Sequence, residues 1–325
     1  MRSAVHTSFG DPADVLQVTD MPKPEPAAGF ARMRMILAAI HNHDLWTVRG
    51  SYGYKPKLPA IGGSEAVGVV DAVGEGVDAS LIGKRVAFAG ARGAWAEYYT
   101  APAAGLVPVP TAISDEAAAQ LIAMPFSALT LLEFLNVMPG DWIIQNAANG
   151  AVGTMLAGLA KSRGVHCVNL VRRDEGVAEM EKLGIANTVS TAAKGWKDQV
   201  RNLVGEGKIR AGVDSIGAKA TEDIAGLLAE NGLLVSFGSM TGEMMQISSG
   251  SMIFKQLTLK GFWASTVSAQ MAPEKRASLM GELIKLVASG EIKLHTDAVF
   301  DLADIAKAVT RSLTPGRAGK VLLRA

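Results

Sequence analysis

The segment Trp142-Ile143-Ile144-Gln145-Asn146-Ala147-Ala148-Asn149-Gly150-Ala151-Val152-Gly153 limits this chain more than any other. An apolar run leads into a turn of small residues and then into helix-forming sequence. Ile143 and Ile144 read as a buried parallel strand, with Gly150 and Gly153 where the helix begins. Such a turn lets backbone N–H groups approach a diphosphate, and the helix N-terminus adds partial positive charge. The G-x-G-x-x-G spacing is kept with Ala148 in place of the first glycine. Asn146, Asn149, Gly150, Ala151, Val152 and Gly153 are therefore candidate cofactor contacts. Taken alone, the pattern also fits an ordinary strand–turn–helix corner.

The residues after the turn narrow the reading. A helix is predicted over 154–163, with Gly164 as its C′ residue. A strand over 166–171 then completes a βαβ unit. Where an NAD enzyme places an acid against the ribose hydroxyls, this strand ends in Arg172-Arg173-Asp174. A guanidinium matches a 2′-phosphate with a paired, charge-assisted geometry, so the expected cofactor is NADPH. A solvated basic turn is the plainer alternative, and Asp174 retains the chemistry to bond a ribose hydroxyl. Further on, Ser236-Phe237-Gly238-Ser239-Met240 closes another predicted strand. The backbone of Phe237, Gly238, Ser239 and Met240 is a candidate contact for the nicotinamide carboxamide.

At 325 residues the chain exceeds one comfortable core, so two domains are expected. A hydrophobic content of 49% and charged content of 19% fit a folded enzyme. The formal net charge is +1 with no basic tract, which argues against nucleic acid or an anionic membrane surface as partner. No apolar run reaches the ~18 residues of a membrane span, and Met1-Arg2-Ser3-Ala4-Val5-His6 lacks the apolar core of a signal peptide. Cys167 is the single cysteine, which excludes an intramolecular disulfide and a cysteine-cluster metal site. A reducing cytoplasm is the expected location, and a small molecule the expected partner.

Short strand-like stretches at 31–36, 66–73, 84–89 and 95–100 are punctuated by glycine and proline. Ser114 is a candidate N-cap with Asp115 and Glu116 behind it. Pro125 is expected to interrupt that helix, which resumes over 126–135. From Trp142 strands and helices alternate: helix 175–183, strand 211–216, helix 220–230, and strands 233–237 and 257–262. A helix over 274–288, a shorter one after Asp301 and a strand over 320–323 close the chain. This alternation means a doubly wound parallel sheet in an α/β fold. The nucleotide-binding domain is expected at 116–260, inserted in a β-rich domain made of 1–115 and 261–325.

With these residues in view the chain resembles the medium-chain dehydrogenase/reductase superfamily over essentially its whole length. The resemblance implies a Rossmann sheet inserted in a GroES-like β-rich domain. Zinc alcohol dehydrogenases of that superfamily carry C-H-x-D and G-H-E segments that supply metal ligands. Here those segments read His41-Asn42-His43-Asp44 and Gly63-Ser64-Glu65. Ser64 cannot replace imidazole, and a zinc site needs three protein ligands on one open face, so no metal is expected, with a site built from His41, His43 or Glu65 left as the alternative.

Among zinc-free branches the chain resembles 2-enoyl thioester reductases of the mitochondrial fatty-acid-synthesis type. The segments that carry this are Arg49-Gly50-Ser51-Tyr52-Gly53, Leu58-Pro59-Ala60-Ile61-Gly62-Gly63-Ser64-Glu65, Ile144-Gln145-Asn146-Ala147 and Val171-Arg172-Arg173-Asp174. The block Ile253-Phe254-Lys255-Gln256-Leu257-Thr258-Leu259-Lys260-Gly261-Phe262-Trp263 is the most branch-specific. The resemblance implies that Tyr52 faces the substrate carbonyl as proton donor or polariser. His41, where that branch usually carries asparagine, is implied as a second catalytic candidate that lines the nicotinamide pocket and donates to substrate or cofactor, with a structural hydrogen bond near the cleft as the plainer alternative. Trp263 is implied as a wall of the acyl pocket, and His43 reads as structural or exposed.

The implied reaction is zinc-independent, NADPH-dependent reduction of an activated carbon–carbon double bond in a 2-enoyl thioester or related enone. Quinone reductases share the glycine turn, so a quinone or carbonyl/alcohol oxidoreductase stays open beside it. A cofactor-binding protein without turnover is the reading from another class. An edge strand near 257–262 implies a homodimer, as in relatives.

Overall fold

The computed structural model describes residues 1–317 and 319–325. Two compact units divide them, one of Met1–Ala123 with Ile284–Ala325 and one of Met124–Leu283. The chain opens with β1 (Arg2–His6), α1 (Pro12–Val15) and β2 (Gln17–Asp20). Next come β3 (Phe30–Ala39), α2 (Asn42–Arg49), β4 (Ala60–Ile61) and β5 (Glu65–Val73). β6 (Arg85–Ala89), β7 (Tyr98–Pro102), β8 (Val107–Pro108) and α3 (Asp115–Ala118) succeed them.

α4 (Ala123–Leu135), β9 (Trp142–Gln145), α5 (Ala151–Ser162), β10 (His166–Val171) and α6 (Glu175–Lys182) come next. β11 (Thr188–Ser190), α7 (Trp196–Val204), β12 (Ile209–Asp214), α8 (Lys219–Ala225) and β13 (Leu233–Ser236) continue the alternation. After α9 (Ser249–Lys255), β14 (Thr258–Gly261), α10 (Ala264–Ala269) and α11 (Pro273–Ala288), the chain ends in β15 (Thr296–Asp301), α12 (Ile305–Leu313) and β16 (Lys320–Arg324).

The first unit is β-rich. Its larger sheet runs β15-β16-β3-β5-β6-β8, with β7 also on β3, and a smaller one runs β2-β1-β4. The expected strands 31–36, 66–73 and 84–89 are present within β3, β5 and β6. The fourth begins later than predicted, at Tyr98. Trp95 instead bonds through its backbone to Gly62 and Ala4, and its wholly buried indole packs on Gly62 and Gly63. A Cβ on Gly63, whose φ is +89°, would lie 2.3 Å from that ring. The indole N–H then donates to the Ala39 carbonyl at 3.0 Å.

The second unit carries six parallel strands in the order β11-β10-β9-β12-β13-β14. The chain winds outward from β9 to β11, returns to the middle, and winds the other way from β12 to β14. That is the doubly wound α/β arrangement, with its switch point between β9 and β12. Ile144, Val168, Leu170, Ile224 and Leu234 fill the core around it.

The terminal signals behave as the sequence predicts at Gly164 and Gly184, whose φ values of +69° and +72° close α5 and α6. Ser114 caps α3 by accepting from Ala117 N. Pro125 differs: it is the third residue of α4 rather than a break, in the first turn where a missing N–H costs nothing. α8 also stops early, at Ala225. Lys255 Nζ donates to the carbonyls of Ala225, Gly226 and Leu228, occupying groups a longer helix would have used.

Candidate active site

In the second unit the expected nucleotide turn lies at the carboxyl end of β9. Its left-handed residue is Ala147, at φ 49°, one position before the alanine that stands in for the first glycine. Gly150 is the N-cap of α5 in extended conformation and no side chain caps it. The N–H groups of Ala151, Val152 and Gly153 therefore open the helix toward whatever anion approaches. Gly153 is required by packing, since a Cβ there would lie 2.5 Å from the Ala148 carbonyl oxygen.

The two amides ahead of the turn work inside the protein. Gln145 Nε2 donates to the Gly153 carbonyl and to Asn169 Oδ1, both at 2.8 Å. Asn146 donates to Asp214 Oδ1 at 2.6 Å and accepts from Ser215 N at 2.8 Å. Asn149 is exposed, 3.5 Å from Glu179.

Arg172 and Arg173 come directly after β10, both exposed. Arg173 is 3.8 Å from Glu179, whereas Arg172 has no ion-pair partner among the described residues. Phe237, Gly238, Ser239 and Met240 come after β13 on the same edge of the sheet, with Met240 67% exposed. Phe237 N and Gly238 N donate to the Asp214 carbonyl. Trp263 belongs to this unit as the N-cap of α10 and is 57% exposed, so it is no core tryptophan.

In the first unit His41, His43 and Tyr52 come together at the start of α2. β3 ends at Ala39, just ahead of them, and α2 begins at once: the Asp44 carboxylate accepts from His41 N at 3.0 Å. His41 is wholly buried and its Nε2 lies 2.7 Å from Glu65 Oε2. Glu65 Oε1 accepts from the N–H groups of Ile122 and Ala123 at 2.6 and 3.1 Å. His43 stacks on His41 at 5.1 Å between ring centres, bonds Ser64 Oγ through Nε2 at 2.8 Å, and lies 5.8 Å from the Tyr52 ring.

Burial governs the ionisation here. It pushes the Glu65 carboxyl up to about 7 against the pull of the Ile122 and Ala123 N–H groups. It takes His41 well below the usual imidazole range, with Lys320 and His43 adding to the effect. Lys320 is itself brought down to about 8 by burial and by Arg317. His41 is thus neutral at physiological pH.

Zinc does not fit these residues. His41 Nε2 is committed to Glu65 and Ser64 Oγ to His43. Among the described residues no three His, Cys, Asp or Glu side chains converge as a metal site. Cys167 is buried in β10 of the other unit, its thiol pushed up to about 12 by burial. Asp214, Thr221, Ser64 and Lys320 are site residues that sequence reasoning did not select. An acid ending the apolar run Ala211-Gly212-Val213-Asp214 was the available signal for the first of them.

Comparison with known proteins places this geometry. Residues 27–111 match the alcohol dehydrogenase GroES-like domain, and residues 151–280 match the zinc-binding dehydrogenase domain. The chain is similar to the mitochondrial enoyl-[acyl-carrier-protein] reductase of Caenorhabditis elegans, 31% identical over 96% of this chain and 92% of that protein. The human enzyme of the same name is 29% identical over 99% of this chain and 88% of its own length. The structure of Escherichia coli quinone oxidoreductase complexed with NADPH superposes with a TM-score of 0.89 at 25% identity, covering 100% of both chains.

Proposed function

Because the chain belongs to the medium-chain dehydrogenase/reductase superfamily, we propose that it reduces an activated carbon–carbon double bond with NADPH, in a 2-enoyl thioester or related enone. The observation that carries the cofactor reading is at the end of β10. Exposed Arg172 and Arg173 stand where an acid would select NADH, and the neighbouring strand feeds a helix whose first turn no side chain caps. Full-length similarity to enoyl reductases supports the substrate class.

When bound, NADPH would supply a hydride to the β-carbon, and the α-carbon would then take a proton, with Tyr52 or water as its donor. Arg172 holds the 2′-phosphate, the N–H groups of Ala151, Val152 and Gly153 receive the diphosphate, and the backbone of 237–240 meets the carboxamide. Asn146 acts through Asp214 and Ser215, which its amide holds, Asn149 from its exposed position, and Trp263 walls the acyl chain. Tyr52 donates a hydrogen bond to the carbonyl oxygen as enolate charge develops, the point at which a preset donor lowers the barrier. His43 keeps the Tyr52 ring in place, and buried His41 backs His43.

The test is NADPH oxidation followed over enoyl thioesters, quinones and aldehydes, with and without chelator. Turnover highest on an enoyl thioester and indifferent to chelator is the expected result. Turnover highest on a quinone would favour the second reading, which the likeness to quinone oxidoreductase supports. Tight binding without oxidation of any acceptor would leave a non-catalytic NADPH-binding protein.

We infer a homodimer paired through β14, an edge strand whose residues are all exposed. Ile253 and Phe254 of α9, the helix that leads into β14, are 65% and 82% exposed, apolar surface that a second copy would cover. A cytoplasmic location remains our proposal. No helix among the described residues is long and apolar enough to cross a membrane, and cell fractionation against the mitochondrial naming of the relatives decides the compartment.

A further inference from the structure

The carboxylate of Asp214 is 1% exposed, and no cation pairs with it among the described residues. Instead it collects four hydrogen bonds from three separate stretches of chain. Oδ1 accepts from Asn146 Nδ2 at 2.6 Å and from the N–H groups of Ile216 and Gly217 at 2.9 and 3.1 Å. Oδ2 accepts from the Thr221 hydroxyl at 2.6 Å. A buried charge held this completely fixes the backbone around it.

The segment it shapes is 215–218, which serves as the template for a second, more exposed one. Met240 N donates to the Ser215 carbonyl, Thr241 N to that of Ile216, and Gln246 N to that of Ala218. Asp214's own carbonyl accepts from Phe237 and Gly238. The side chain thus connects the carboxyl ends of β9 and β12, which flank the switch point of the sheet, and the main-chain carbonyl of the same residue adds the end of β13. Hydrogen bonds pass from it to the exposed backbone of 239–246 without involving β10 or the arginines that follow it.

We propose that Asp214 is the positioning residue for the nicotinamide half of the cofactor, setting the backbone of 237–241 while leaving the adenosine half untouched. This rests on the NADPH reading given above. Asn at position 214 would preserve the arrangement, because its oxygen can serve the three donors on Oδ1 and its N–H₂ can donate to the Thr221 hydroxyl. Alanine would lose all four side-chain bonds and keep only those of the main-chain carbonyl to Phe237 and Gly238.

The test compares binding of NADPH with that of 2′,5′-ADP, which carries only the adenosine half, by calorimetry on the full-length chain. Asp214→Ala is expected to weaken NADPH about thirtyfold and to leave 2′,5′-ADP within about twofold. Asp214→Asn is expected to restore NADPH to within about threefold of the parent. Should Asp214→Ala fail to fold, Thr221→Val removes one hydrogen bond and is expected to weaken NADPH about fivefold with 2′,5′-ADP unchanged.

Equal losses for both ligands, or no loss for NADPH, would overturn the assignment and leave Asp214 a purely structural residue. Damage in Asp214→Asn as large as in Asp214→Ala would overturn it as well. A parent protein that binds neither ligand would instead refute the cofactor reading itself, so the two failures are separable.

Discussion

At position 65 a carboxyl group lies wholly out of water, and its proton links stability to pH. Burial raises it to about 7, above the ~4.3 of an unfolded glutamate. Between those values the folded chain keeps a proton that the unfolded chain releases, so this group's contribution to stability falls as pH climbs through the window and is level beyond it. His41, depressed by its own burial, adds an opposite slope at acid pH in parent and variant alike. Glu65→Gln removes the carboxyl titration while keeping an oxygen for Ile122 and Ala123. Relative to the parent it should be about 2–3 kcal/mol more stable at pH 8 than at pH 5 by urea unfolding. An unchanged difference at the two pH values would show that the anion is fully compensated.

Two other residue-scale outcomes test the chemistry. Tyr52→Phe should cut turnover about 100-fold while NADPH affinity moves less than about twofold, read by steady-state rates and a binding titration. Arg172→Ala should weaken NADPH by about 1.5–3 kcal/mol and leave NADH untouched, with a smaller loss for Arg173→Ala because Glu179 holds that side chain back. The arginines were legible in the sequence because position at the end of a strand defines their surroundings. The Asn146–Asp214 and His41–Glu65 contacts were not, since they join residues 68 and 24 positions apart.

At the scale of elements, α5 is pressed so close to β9 that no side chain fits at Gly153, where a Cβ would meet the Ala148 carbonyl oxygen at 2.5 Å. Gly153→Ala should cost ~1–3 kcal/mol in thermal unfolding and shift the helix start enough to weaken NADPH. Strands β9, β10 and β13 could be read directly from their apolar runs, and the closures of α5 and α6 from Gly164 and Gly184. α7 was missed although Trp196, Val200 and Val204 form an apolar stripe at helical spacing that packs on the core; the polar residues between them hide it from a reading by apolar runs. α2 was missed because its start depends on Asp44 accepting from a backbone N–H, a bond no hydrophobic pattern records.

At the scale of the whole molecule, self-association is the open quantity. Thr258 N and Phe262 N both donate into β13 or the turn before it. By strand alternation Leu259 therefore points its N–H outward along the edge. Leu259→Pro should then remove an outward donor without disturbing the inner ladder. Sedimentation should show a shift from dimer to monomer with NADPH binding retained. A parent that sediments as a monomer would contradict the pairing outright.

The interrupted make-up of the β-rich unit carries a consequence for biosynthesis. β3 is bonded by β16 along residues 37–39, so its ladder stays incomplete until the far end of the chain has been translated. At a ribosomal pace of ~5–20 residues per second that delay is roughly 15–55 s. The parallel-sheet unit, one continuous segment, emerges whole in the meantime and is free to close first. A nascent chain with an unshielded strand margin for so long is a natural client for chaperones, and truncations near the carboxyl terminus should aggregate rather than yield a smaller folded product.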